Sequence, residues 1–370
     1  MTQFKMPSPA ILALGLICAG TPAGAAPDSG AYLKDRTIAY VLTHRDWGVY
    51  QTAGAKDECP DGQAEWGPRE QFKTLFLQDG KKRTYEEAQL KQESDIHFPN
   101  LEPDRFPYRE VTGKIAYGLN LDGKVGPNDF TSPDGETGID NQLYRVIGCN
   151  DIFRGPTGIV YDISNQYLRN RNYNRVLIEL TEVDSLADDN DVVVTIQRGR
   201  DGLLMDGTGK RVIPGGTQRL DTRWSKRFVQ RLHGKIVNGV LTTEAADITI
   251  PYAVLRPAEE TYLGGRLQLK LTPQSAEGVL GGYMNVEDWY HGLSKNWATV
   301  FQSYGRMASQ SMYKKLRPAA DGYPDPQTGE NTAISAAAQL WFTQVFVQHP
   351  EKQVAATPVD ATARKTEAAR

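Results

Sequence analysis

The chain has 370 residues, 24% of them charged, and a formal net charge of −3. That length can hold one large domain or two. Charges of both signs are interspersed along it, which argues against a general nucleic-acid binder and against a polybasic membrane anchor.

The first 25 residues have the order of a secretory signal. Lys5 precedes an apolar run from Ile11 to Ala19, too short to cross a bilayer as a helix, and Ala23-Gly24-Ala25 fits a small-residue cleavage site. The expectation is an exported chain, periplasmic or secreted, with no transmembrane segment. Cys18 leaves with the signal. Cys59 and Cys149 remain, and an even pair in an oxidising compartment predicts a disulfide.

The mature chain divides by pattern into a mixed region over 26–172, an antiparallel β domain over 173–283, a helical C-terminal region over 284–349 and a disordered tail over 350–370. Thr37 to Leu42 reads as a strand, and Asp57 to Arg69 as a loop. Thr84 and Glu87 have capping-box spacing and open a predicted helix.

The stretch 120–141 gathers Asp122, Asn128, Asp129, Asp134, Glu136 and Asp140 among glycines and prolines. It can fold only as a tight loop, and clustered carboxylates repel unless neutralised. Calcium wants several carboxylate and carbonyl oxygens, so Asp122, Asp129, Asp134, Glu136 and Asp140 are its candidate ligands. The EF-hand register fails, because Val125 and Ile139 stand where glycine is needed. The competing reading is a solvated turn whose Asx side chains cap their own backbone.

Helices are predicted over Asn141 to Ile147 and Tyr161 to Arg169. Period-two alternation then takes over: Val176, Ile178 and Leu180 share one strand face, as do Val192, Val194 and Ile196, and Leu267, Leu269 and Leu271. Asn238-Gly239 predicts a two-residue hairpin, because both central positions need positive φ; Asp206-Gly207 is a weaker turn. Trp297, Val300, Phe301, Tyr304 and Met307 fall at helical spacing in a helix that Pro318 ends. The expected fold class is α+β: a central antiparallel β-sandwich or barrel-like domain with flanking helices.

Catalytic signatures are sparse. The five histidines, His44, His97, His233, His291 and His349, are widely spaced, with no HExxH and no paired CxxC. Ser311-Met312-Tyr313-Lys314 matches SxxK but lacks its lysine-threonine-glycine partner. His44-Arg45-Asp46-Trp47 forms a compact acid/base group, though neighbours along a strand face opposite ways. Glu179, Glu182, Asp184, Asp188, Asp189 and Asp191 lie on or beside strands, where two could face across a cleft as in a glycosidase.

Three segments carry a resemblance. They are Glu58-Cys59-Pro60-Asp61-Gly62 with Gly67-Pro68-Arg69-Glu70-Gln71-Phe72, Ser132-Pro133-Asp134-Gly135 through Asp140-Asn141-Gln142-Leu143, and Asp321-Gly322-Tyr323-Pro324-Asp325-Pro326 through Ile334-Ser335. In these the chain resembles a family of exported proteobacterial proteins with no established activity. The resemblance implies export and a shared fold. The expected function is a non-catalytic binding or structural module, possessing calcium as its candidate ion and a carbohydrate or envelope component as its candidate partner; the alternative is a secreted hydrolase of polysaccharide or another envelope polymer working through acidic residues.

Overall fold

The computed structural model describes residues 33–64, 77–78, 81–82, 90–92, 95–97, 108–155, 158–223, 226–253, 257–293 and 309–350. The signal-like segment, the Thr84 helix, Gly67 to Phe72, the aromatic stripe from Trp297 to Met307 and the tail beyond 350 lie outside them.

In chain order the elements begin with strand β1 (Ile38–Trp47) and four short strands, β2 (Leu77–Gln78), β3 (Lys81–Lys82), β4 (Leu90–Gln92) and β5 (Asp95–His97). Next come β6 (Phe130–Thr131), β7 (Thr137–Ile139), α1 (Gln142–Ile147) and α2 (Ile159–Asn170). The main strands follow: β8 (Val176–Thr181), β9 (Asp189–Arg198), β10 (Gly216–Arg219), β11 (Gln230–Val237), β12 (Val240–Thr243), β13 (Ala246–Ala253), β14 (Pro257–Leu271) and β15 (Ser275–Asn285). The chain continues through α3 (Val286–Leu293), α4 (Ser309–Ala319), β16 (Gly322–Pro324) and β17 (Asn331–Gln348).

Eleven of these strands form one sheet, and its spine runs β1-β8-β9-β11-β12-β14-β15-β17. Because β17 also pairs with β1, the sheet closes on itself as a ring. Every neighbour pair in the ring is antiparallel; only β10, laid beside the end of β17, is parallel. Closure leaves no open edge among the eight strands of the ring itself, the kind of edge that can recruit other chains. A ring of this size is just wide enough for side chains to fill. Tyr40, Ile178, Val194, Leu241, Leu269 and Phe342 belong to one buried cluster. Each buried aliphatic or aromatic side chain of this kind contributes about 1.5–3 kcal/mol.

The predicted turn between β11 and β12 forms as expected: Asn238 and Gly239 have φ of 50° and 79°. So do the strands at Val176, Asp191 and Arg266, although β14 and β9 run longer than their alternation. Asn141 caps α1, its Oδ1 accepting from the Tyr144 N–H at 3.1 Å. Among the described residues, no helix is long and apolar enough to cross a membrane.

Two expectations are corrected. The C-terminal region over 284–349 is not helical throughout, because its last part is the 18-residue strand β17. The alanine run Ala336-Ala337-Ala338 resembles helix by composition, yet it pairs with Gly282, Gly281 and Leu280 of β15. Small side chains are needed there: a Cβ on Gly281 would lie 3.2 Å from the Leu119 side chain, tighter than ordinary contact. Pro318 also does not end α4, which runs to Ala319.

Cys59 and Cys149 form a disulfide with a Cα–Cα separation of 5.7 Å, within the usual range. Beside it lies a second brace. Glu58 and Arg154, both almost fully buried, approach to 3.5 Å. The Glu58 carboxylate also accepts from the Thr52 N–H and hydroxyl, while Arg154 donates to the Gly148 carbonyl at 2.7 Å. The buried charges are therefore paired and hydrogen-bonded, the condition under which such burial is tolerated.

Candidate functional site

A bulge in β1 builds a buried polar group. The pairing with β17 slips between Leu42 and His44. An extra residue reverses the alternation of a strand. Arg45 is thereby buried, while His44 and Asp46 stay half-buried on the other face. The acid/base group read from the sequence is split accordingly. His44 Nε2 and Asp46 Oδ2 lie 3.0 Å apart, with the imidazole edge-on to Trp341.

Arg45 pairs with Glu260 of β14, and both are less than a tenth exposed. The guanidinium donates to the Tyr262 hydroxyl at 2.9 Å and lies over the rings of Trp47 and Tyr252. Burial pushes the Glu260 carboxyl up, and Arg45 pulls against that shift. Burial disfavours the Arg45 charge, but Glu260 and its neighbouring tyrosines outweigh it and hold the guanidinium ionised. Burial likewise raises the Tyr262 phenol. Such a pair holds charge in place; a guanidinium cannot serve as a base.

The group borders a cavity of about 30 Å³ lined by Asp46, Ser164, Asn165, Asn174 and Tyr252 together with Arg45. One water needs about 10–15 Å³, so the cavity suits ordered water rather than a sugar ring. Ser164 Oγ lies 3.0 Å from the Tyr252 hydroxyl, and Arg45 Nε has no hydrogen-bond partner among the described residues.

The acidic loop folds around its own backbone. Asp140 is buried and accepts from the Leu121 N–H at 2.7 Å and the Asp122 N–H at 3.3 Å. Asp122 accepts from Lys124 and Asp129 from Gly126, both through backbone N–H groups. Asp134 and Glu136 are exposed. Among the described residues, no three His, Cys, Asp or Glu side chains gather as a metal site. Desolvation raises the Asp140 carboxyl despite those two backbone bonds, and the charges of Asp122 and Asp129 add to the rise.

Asp140 also lies within electrostatic reach of Asp321, the residue before β16. Asp321 accepts from the N–H and hydroxyl of Ser335, each at 2.6 Å. Ser335 Oγ in turn accepts from the Gln142 N–H at the start of α1 at 2.9 Å. Desolvation pushes the Asp321 carboxyl up to about 6, with Asp140 contributing and the Ser335 bonds opposing. The residue itself is exposed, so water moderates that shift. The Asp140–Gln142 and Asp321–Ser335 parts of the resemblance thus meet through hydrogen bonds.

The acids at the strand ends are each engaged by a local partner. Glu179 accepts from Gln197 Nε2 at 2.9 Å and lies 2.9 Å from His349 Nε2. Glu182 pairs with Arg231 and Asp184 with Arg36. Asp188 accepts from the Asn238 N–H, Asp189 from those of Asp184 and Asp191, and Asp191 contacts His233 Nδ1. Ser311 of the SxxK match is buried within α4.

Sequence reading missed Glu260 and Tyr262, whose partner is reached only through the bulge. The strand read from alternation began only at Arg266, so the part of β14 that carries Glu260 and Tyr262 gave no signal. No protein-family model matches the chain, no curated protein matches it, and no solved structure matches it.

Proposed function

We propose that the protein is an exported, non-catalytic binding or structural module whose task is performed by its outer surface. The filled ring supports this reading: buried side chains from each of its strands pack together in its interior. The engagement of the strand-end carboxylates in bonds that hold turns and strands in place supports it further. Export is supported by the signal-like order of residues 1–25 and by the Cys59–Cys149 bridge. The resemblance to exported proteobacterial proteins agrees with it.

One observation favours the hydrolase alternative. Asp140 and Asp321 are both raised, and Asp140 adds to the rise at Asp321. A raised carboxyl is what a general acid requires. Calcium has a similar single point in its favour, the mutual repulsion of Asp122, Asp129 and Asp140.

The test is incubation of the purified protein with insoluble envelope glycan and with soluble acidic and neutral polysaccharides. Co-sedimentation or gel retardation without new reducing ends is the expected result. New reducing ends that disappear in Asp321→Asn would replace the module with the hydrolase.

A further inference from the structure

The net charge of the chain conceals a local excess. Between Arg198 and Arg231 the sequence carries Arg198, Arg200, Lys210, Arg211, Arg219, Arg223, Lys226, Arg227 and Arg231 against only Asp201, Asp206 and Asp221. The fold draws a large part of this excess together. The Arg200 N–H donates to the Arg219 carbonyl at 3.0 Å, the Asp221 N–H donates to the Arg198 carbonyl at 2.8 Å, and Asn172 Nδ2 donates to the Arg200 carbonyl at 2.6 Å.

Behind this face, Arg198 donates to the Tyr173 carbonyl and stacks over Tyr173 and Phe228. Arg227 lies over the same Phe228 ring. Arg175 donates to the Asp201 carbonyl. In front, Arg200, Arg219, Arg223, Lys226 and Arg227 are exposed. Arg219 pairs with Asp201, Arg223 with Asp221 and Arg227 with Glu259. Arg200 and Lys226 form no ion pair among the described residues. The repulsion is felt inside the group: desolvation lowers Arg198, Asp221 opposes it, and Arg223 lowers it further.

We propose that this arginine-rich face binds an acidic, carboxylate-bearing polysaccharide. The inference rests on the binding reading above and names its partner. An excess of one sign on one face concentrates a polyanion of the other sign. With Arg219, Arg223 and Arg227 already paired to acids, Arg200 and Lys226 carry the excess, and the planar fork of Arg200 matches a carboxylate through two parallel hydrogen bonds where a lysine offers only a point charge. The buried aromatic stacking of Arg198 fixes the backbone that carries Arg200, so the face is held in shape before a ligand arrives.

The experiment measures retention of the whole protein by polygalacturonate, with unsubstituted dextran as the neutral control. Retention by polygalacturonate alone, weakening as salt rises, is expected. Arg200→Glu with Lys226→Glu should weaken it by about tenfold or more, since two attractive charges become repulsive. Reversal of two exposed lysines elsewhere, Lys235→Glu with Lys270→Glu, should leave it unchanged. The neutral pair Arg200→Gln with Lys226→Gln serves if the reversed pair does not fold, and should fall between the two. Unchanged retention in both Arg200/Lys226 pairs would overturn the proposal. So would tighter binding to duplex DNA or to phosphatidylglycerol vesicles than to polygalacturonate. Retention by a neutral glycan only would overturn this assignment while leaving the binding module standing.

Discussion

Asn165 of α2 holds Arg45 of β1 by both faces of its amide: Oδ1 accepts from the Arg45 N–H at 2.8 Å, and Nδ2 donates to the Arg45 carbonyl at 3.0 Å. The contact imitates one rung of a β-ladder. It is needed because β8 pairs with β1 only from Ile38 to Val41, leaving the backbone beyond without a neighbour on that side. Asn174 clasps Ala253 in the same way, and Gln230 clasps Thr249. These two clasps cover strand β13, which pairs with β14 alone among the described strands.

Asn165→Ala should therefore destabilise the protein by about 2–4 kcal/mol, since it strands a buried donor and a buried acceptor together. Asn165→Asp should also cost stability, because a carboxylate accepts but cannot donate to the Arg45 carbonyl. Denaturant unfolding of the three proteins checks this. A change below about 0.5 kcal/mol in the alanine variant, the scale of an ordinary surface substitution, would show that the clasp does not hold the strand.

Native protein should show no alkylatable thiol at Cys59 or Cys149. Replacing both with serine should lower stability by up to about 4–5 kcal/mol in the chain-entropy account, since the closed loop spans 90 positions. Mass spectrometry of alkylated native and reduced samples, followed by denaturant titration, measures both parts.

Asp321 gives a pH dependence of definite sign. Its carboxyl is pushed up to about 6 from 3.8. Between those values the native state holds a proton that the unfolded chain has released, so this group makes stability fall as pH rises through that window. Below it the group is protonated in both states, and above it the loss is complete. Asp321→Asn should flatten this part of the stability–pH curve. A curve of unchanged slope in the variant, or an NMR titration of Asp321 near the ordinary carboxylate value, would contradict the assignment.

The acidic loop separates two kinds of aspartate. Asp140→Ala should cost about 1–3 kcal/mol by orphaning the buried Leu121 N–H. Asp134→Ala, at an exposed position, should stay within about 0.5 kcal/mol. If calcium held both residues, millimolar calcium would raise the melting temperature of the parent protein and of neither variant. Differential scanning with and without calcium reads both effects in one experiment.

The local parts of the fold were legible because local chemistry determines them. Asn238-Gly239 needed positive φ at two positions, Asn141 could cap a helix, and Leu267, Leu269 and Leu271 alternated. Cys59 and Cys149, the two cysteines beyond the signal-like segment, had one another to pair with. Closure of the ring was not legible. It depends on β17, whose alanines carry little β preference, two of them lying opposite Gly281 and Gly282 of β15. Arg45 was hidden for a different reason: one bulged residue changes which face every following side chain takes, and no periodicity announces it. The basic face was obscured by an average, since acidic loops elsewhere cancel its charge in the total.

The partnership of β1 with β17 also dictates timing. The Thr43 hydroxyl donates to the Trp341 carbonyl across 298 positions of sequence, and the ring has no seam that can shut before β17 is available. During synthesis the intervening hairpins can assemble as they emerge, but the sheet remains an open ribbon with exposed apolar residues until the last long strand arrives. Loop closure over such a span is slow compared with hairpin formation. A chain truncated before Asn331 should consequently accumulate as aggregate in a refolding assay, where the longer chain regains a closed, soluble form.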